Sequence, residues 1–315
     1  MKTRAIQNEA LRLCIAPDVG ASPIEFSLRR ERLPRAPTTA PTWLPIFRPT
    51  SEHALARGDS AGFSSYTLAP YSNRIRDGKL RFRGQTYSLA ANWPDGQTIH
   101  GDVRMRPFEV EQTDACSLLC RYDSRHSRDR NFPFHYQLST EYRLQDTTLQ
   151  IAFALTNTDD REQPAGLGIH PYFVRTLWPG AASPRLRFSA TGFYAVDEQI
   201  IPRGPAQSLL PQHDFSTPRD VYAQSIDCAF AGWDGRADLS WPDTGLSLQL
   251  AADPVFSHFV VYNGDPDGTL ALEPVSHATD ACNLAERGVP GTGLQVLAPG
   301  QTLGGHIRIK LSIAQ

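Results

Sequence analysis

Cysteine is scarce in this chain of 315 residues: there are five, and no two stand as Cys-x-x-Cys. Cys14, Cys116, Cys120, Cys228 and Cys282 are odd in number and scattered, a pattern that predicts a reduced, cytoplasmic protein whose cysteines are small core residues. No apolar run approaches the roughly eighteen residues of a membrane-spanning helix. An excess of one charge is missing too, with 31 Lys and Arg against 33 Asp and Glu. That balance leaves no electrostatic footprint for nucleic acid or an anionic membrane. The opening MKTRAIQNEALRLCIAPDVG has basic residues but no apolar h-region, so no secretory signal is expected. Convincing amphipathic helices are also absent, because no long stretch places apolar residues at i, i+3, i+4 and i+7 between caps.

Two-residue alternation takes their place. HYQLSTEYRL puts Tyr136, Leu138, Thr140, Tyr142 and Leu144 on one face, and LQIAFAL does so with Leu149, Ile151, Phe153 and Leu155. With QDTT as the turn, residues 135–156 read as a hairpin. RIRDGKLRFRGQTYSL holds turn signals at Asp77-Gly78 and Arg83-Gly84. ADLSWPDTGLSLQLAA reads as another hairpin, and SHFVVYN, GTLALEPV and HIRIKLSI as further strands. The 23 glycines and 25 prolines are spread along the chain, as many turns between short elements require. Together these features predict an all-β chain of stacked antiparallel sheets, 1–315 forming one domain. RRERLPRAPTTAPTWLPIFRPT, residues 29–50, reads as an irregular surface connection.

Four stretches concentrate polar groups that a plain β protein does not need: PYSNRIRDG with Asn73 and Arg74 at the start of a hairpin, TIHGD with His100, GLGIHPYF with His170, and LALEPVSHATDACN with Glu273. On the residues alone several readings stand. His170 is a satisfied core histidine, a metal ligand or a catalyst. Arg74 is a solvated edge residue or a ligand contact. Glu273 is a strand end facing water or a functional carboxylate. Tyr172 and Phe173 follow His170 in a strand-like run and should point to opposite faces, one to a pocket and one to the core. Trp233 of GWDG either offers its flat ring to a ligand face or caps a turn in the core. His277 and Asp280 read as loop residues of a rim.

The segments PYSNRIRDGKLRFRGQTYSL, IHGDVRMRPFEV, GLGIHPYF, IDCAFAGWDG and ALEPVSHATDACN, in this order, resemble the aldose 1-epimerase (galactose mutarotase-like) family, in a divergent bacterial branch. The resemblance implies a large antiparallel β-supersandwich and an isomerase that needs neither metal nor organic cofactor. It implies Glu273 as general base, His170 as general acid on the ring oxygen, and His100 as a second histidine holding the sugar. It implies further that Arg74 and Asp227 bind sugar hydroxyls, with Asn73 supporting Arg74. The implied partner is a small-molecule sugar, and the implied assembly a monomer or homodimer.

One motif departs from the family pattern. The better-known galactose mutarotases carry Asn before the third motif's histidine and Thr or Ser after it, whereas here the neighbours are Ile169 and Pro171. Galactose therefore does not follow as substrate. Arg76, Arg81, Arg104 and Arg106 crowd the first two motifs, either as solvated surface or as readers of a phosphate or sulfonate on the sugar. The rival readings are a non-catalytic sugar-binding module, a metal enzyme using His100, His170 and Glu273, and a glycoside hydrolase, which would want two facing carboxylates.

Overall fold

Each alternating stretch forms a strand with the expected face inward. In a computed structural model, which describes residues 1–265 and 268–314, Tyr136–Gln145 and Thr148–Asn157 pair as an antiparallel hairpin. Tyr136, Leu138, Thr140, Tyr142 and Leu144 are buried, as are Leu149, Ile151, Phe153 and Leu155. This hairpin sits within a nine-stranded sheet. Its order is Glu109–Asp114, Ser117–Asp123, Tyr136–Gln145, Thr148–Asn157, Thr302–Ile313, Leu246–Ala252, Arg236–Trp241, Arg185–Phe188 and Arg219–Asp220.

A seven-stranded sheet is the second layer. Its path runs Gly192–Phe193, Asp227–Ala231, His258–Tyr262, Leu270–Val275, Gly168–Ile169 and Thr67–Leu68, with Tyr172–Phe173 also paired to Leu270–Val275. Arg4–Gln7, Leu11–Ala16, Ser22–Arg29 and Trp43–Pro45 form a third sheet of four. The strand pairings are antiparallel throughout the three sheets. The α-helices among the described residues are single short turns, Glu52–Arg57 and Ala281–Glu286, and no helix is long and apolar enough to cross a membrane.

One large core draws residues from all three sheets, including Phe26, Phe47, Tyr136, Phe173, Phe230, Trp241 and Ile309. Each such side chain contributes about 1.5–3 kcal/mol by leaving water. Cys14, Cys120, Cys228 and Cys282 are buried thiols, as expected, and Cys116 is half-buried.

Two expectations fail. Residues 29–50 are not all surface connection: residues 34–42 are mainly exposed, but Trp43–Pro45 is a strand, and Ile46, Phe47 and Arg48 are buried. Apolar Leu44, Ile46 and Phe47 pull this end inward, and Phe47 bridges to Phe173. The second failure concerns Arg74–Ile75. It does not form a hairpin across Asp77-Gly78 but pairs with the distant Thr98–Ile99. The local hairpin is Lys79–Phe82 with Gln85–Ser88, turned by Arg83 and Gly84, both at positive φ.

Candidate active site

Pleating gives the seven-stranded sheet two faces. Phe230, Phe259, Val261 and Leu272 point into the large core. The opposite face carries Tyr66, Leu68, Tyr172, Val260, Ala271 and Val275 as a separate small cluster. Ala229, Val260 and Glu273 stand in register across three strands, so their side chains share that second face. Asp227, two residues before Ala229, shares it too. Tyr172 and Phe173 divide as expected, Tyr172 to this face and Phe173 to the core.

His170 lies between the short strands Gly168–Ile169 and Tyr172–Phe173, and its N–H donates to the Tyr66 carbonyl at 3.0 Å. Two tyrosines hold its ring: Tyr66 at 4.8 Å between centroids and Tyr172 at 4.5 Å, both within about 30° of parallel. His170 Nε2 is 3.1 Å from Glu273 Oε1, and both residues are buried. Burial pushes the Glu273 carboxyl well above the ordinary carboxylate range; the Asp227 charge adds to this and Arg74 opposes it. Burial also lowers His170, to about 3, and the positive charges of Arg48 and Arg104 act in the same direction. The pair therefore shares a single proton and carries no net charge. Glu273 Oε2 and His170 Nδ1 are buried without a hydrogen-bond partner among the described residues.

His100 stands edge-on to His170, with centroids 5.2 Å apart. Its Nδ1 accepts the Asn73 N–H at 3.3 Å, and the His100 N–H donates to the Asn73 carbonyl at 3.0 Å. This assigns the His100 proton to Nε2. Burial holds the ring neutral, well below its ordinary pKa, helped by His170, Arg104 and Arg74. His100 and Asn73 both adopt positive φ, 61° and 57°. Gly101 follows at 75°, and a Cβ there would meet the Ala69 carbonyl oxygen at 2.0 Å. The HG pair of IHGD is therefore a backbone requirement as much as a chemical one.

Arg74 Nε is buried without a partner among the described residues, and its Nη2 lies 3.9 Å from Asp95. Asn73 Oδ1 accepts from the Arg74 backbone N–H at 2.9 Å, so Asn73 is a turn residue supporting Arg74. Asp227 is open to solvent at the mouth of this face, yet the surrounding protein raises its carboxyl, with Arg74 lowering it. Thus His170, Glu273, His100, Arg74, Asp227 and Tyr172 converge on one face, with Asn73 behind them.

Trp233 does not join them. It is buried in the large core, stacked on Phe259 at 4.5 Å, and its indole N–H donates to the Arg236 carbonyl at 2.9 Å. His277 and Asp280 are not on a rim but buried. His277 Nε2 accepts the Ser72 N–H at 3.3 Å, and Gly166 leaves room for this ring, since a Cβ there would come within 2.1 Å of it. Asp280 accepts from the Arg76 N–H and donates its own N–H to the Arg74 carbonyl, each at 3.0 Å. Both residues brace the segment that carries Arg74.

Three of the four clustered arginines are already engaged. Arg76 pairs with Asp197 at 2.6 Å, and Arg106 with Asp102 at 2.8 Å and Asp129 at 2.6 Å. Arg104 is buried rather than solvated, donating to Ser60 Oγ and the Asn92 carbonyl. Arg81 is exposed. Among the described residues, no three His, Cys, Asp or Glu side chains converge as a cation site.

Sequence reasoning missed Tyr66, Arg48 and Trp93, the last edge-on to His100 at 5.8 Å. Their neighbours in sequence carry no chemical signal, and pairing over long separations brings them in.

A family model described as aldose 1-epimerase matches residues 46–310. YphB of Escherichia coli K12 is 26% identical over 276 residues, 85% of this chain and 89% of its own. An aldose 1-epimerase of Escherichia coli K12 is 26% identical over 201 residues, 62% of this chain and 56% of its own. A galactose mutarotase-like protein from Clostridium acetobutylicum shares the fold, with a TM-score of 0.82 over 99% of this chain and 95% of that one, at 18% identity.

Proposed function

The chain belongs to the aldose 1-epimerase family, and we propose that it interconverts the α and β anomers of a free or modified hexose by opening and reclosing the sugar ring. The observation that carries this reading is the buried His170–Glu273 pair, 3.1 Å apart, with His100, Arg74 and Asp227 grouped around it.

In the proposed reaction the pair's one proton, which burial holds on Glu273 at rest, passes across the 3.1 Å contact to His170 as the sugar binds, giving imidazolium and carboxylate. Glu273 takes the proton from the anomeric O1 hydroxyl, and the O1–C1 bond becomes a carbonyl. The C1–O5 bond breaks, and the ring oxygen takes the proton from His170. The pair now holds its one proton on Glu273 and is uncharged, the state that burial favours. Rotation about C1–C2 turns the other carbonyl face to O5. O5 then attacks C1 and returns its proton to His170, while Glu273 returns its own to O1. Atoms and protons balance over the cycle, and the mechanism asks for no metal or organic cofactor. The His100 Nε2–H is available to donate to a sugar oxygen near the anomeric centre, and Arg74 and Asp227 to fix the remaining hydroxyls. The proposal treats residues 1–315 as a single catalytic domain, in keeping with a core that draws on all three sheets.

The test is polarimetry or exchange NMR of α-to-β conversion across a panel of aldohexoses, with Glu273→Gln as control. Wild-type protein is expected to accelerate at least one sugar, and the variant to lose roughly 10²–10⁴-fold in rate while still binding it. Binding without acceleration in the wild type would favour a carbohydrate-binding module instead. Equal rates in both proteins would remove Glu273 from the chemistry.

A further inference from the structure

Behind the site lies a side chain that the family reaction leaves unused. Arg48 is buried, and its guanidinium carbon lies 3.5 Å from the centroid of the Tyr172 ring. At that distance the cation covers one face of the ring, and the His170 ring packs against the same tyrosine with centroids 4.5 Å apart. Arg48 thus reaches His170 through Tyr172, and Tyr66 packs beside both rings, 4.8 Å from His170 and 6.4 Å from Tyr172. The guanidinium is tied down: Nε donates to the Phe63 carbonyl at 3.1 Å, Nη2 to the Ala61 and Phe63 carbonyls at 2.6 and 2.9 Å, and Nη1 to Asp265 at 3.0 Å. Its own backbone N–H donates to the Tyr172 carbonyl at 2.7 Å. So many bonds to fixed acceptors give the cation one position.

Resting on the reading of His170 as general acid, we propose that Arg48 is a positioning residue: through Tyr172 it holds the His170 ring in line with Glu273. Two effects combine. A tyrosine pinned by a cation cannot tilt away from the imidazole it packs against, so the Nε2 direction is preserved. A fixed positive charge one ring away disfavours a second positive charge on His170, so the proton passes more readily to the ring oxygen. The other groups around His170 are Tyr66 and Tyr172 packed against its ring, Glu273 at Nε2, His100 edge-on, and the more distant Arg104. Of the cations that act on His170, Arg48 is the one packed on Tyr172.

The test compares wild type, Arg48→Gln and Arg48→Lys in mutarotation kinetics and in ¹⁵N NMR titration of the histidines. Arg48→Gln is expected to lower kcat about tenfold with KM within about twofold, and to raise the His170 midpoint by about one pH unit. Arg48→Lys keeps the charge but not the planar fork, so the His170 midpoint should stay at its wild-type value while kcat falls partway. A folded Arg48→Gln protein with unchanged kcat and an unchanged His170 midpoint would overturn the proposal. Should Arg48→Gln fail to fold, Arg48→Lys decides: lowered kcat at constant KM supports the clamp, and wild-type kinetics overturn it. The NMR titration is independent of turnover. A wild type that accelerates no aldose would therefore sink the epimerase reading while the effect of Arg48 on His170 was still measured.

Discussion

Glu273 carries a conflict that a single substitution can expose. Its folded-state pKa is raised well above the ordinary value of about 4.5, whereas in the unfolded chain it titrates normally. Below that value both states are protonated and the residue is neutral toward stability. As the pH rises, the unfolded chain gives up its proton first, so stability falls by about 1.4 kcal/mol per pH unit until the folded group titrates too. Glu273→Gln removes this cost. The variant is expected to melt a few degrees above wild type at pH 8 and level with it at pH 4, while losing activity. Scanning calorimetry at both pH values checks this, and an equal shift at both would refute it. His100 allows a second prediction at this scale. His100→Phe keeps a flat ring but loses both the Nδ1 acceptor for Asn73 and the Nε2 donor. It is expected to cost about tenfold or more in kcat/KM on an accepted sugar, whereas a fold-neutral ring swap would leave kcat/KM unchanged.

At the scale of elements, the hairpins were the most legible part of the chain, because a strict period of two states both the strand and its buried face. The Asp77-Gly78 turn was legible as a turn, but its partners were not: Arg74–Ile75 pairs with Thr98–Ile99 across a long separation, and no local pattern encodes that. The same pairing makes Asn73 and His100 exchange hydrogen bonds, and Gly101 lets the backbone pass under the Ala69 carbonyl. Gly101→Ala is therefore expected to cost about 2–4 kcal/mol and to displace His100, because its Cβ would collide with backbone that cannot step aside. Denaturant unfolding measures the first effect and sugar kinetics the second. A fully active, equally stable Ala variant would show that this crossing has slack.

For the whole molecule, the notable feature is a set of buried histidines held neutral. His100, His170, His258 and His277 all sit below their ordinary pKa through burial, His170 at about 3 and His258 at about 4. Above about pH 6.5 folded and unfolded chains alike leave these rings unprotonated. As the pH falls below that, the unfolded chain binds protons that the folded rings refuse. Stability should then drop by up to about 1.4 kcal/mol per histidine per pH unit, down to the folded values. Melting temperatures at pH 7.5, 6 and 5 are expected to fall step by step. A flat profile would mean that these rings protonate in the folded state.

The sequence by itself determined the class of architecture and most of the strand faces, because alternation, turn residues and the lack of helical periodicity act over a few neighbours. It also supplied the residue types of the candidate site, His170, Glu273, His100, Arg74 and Asp227, through motifs whose order resembles one family. Only the tertiary structure decided which of the flagged residues meet. It sent Trp233 into the core, turned His277 and Asp280 into buried braces, and drew Arg48 from a presumed surface segment to the back of Tyr172. The physical reason is one of range. Periodicity says which way a side chain points from its own strand, but the pairing of distant strands decides what lies opposite it. Burial and charge, which set the protonation of His170 and Glu273, exist only once those strands are assembled.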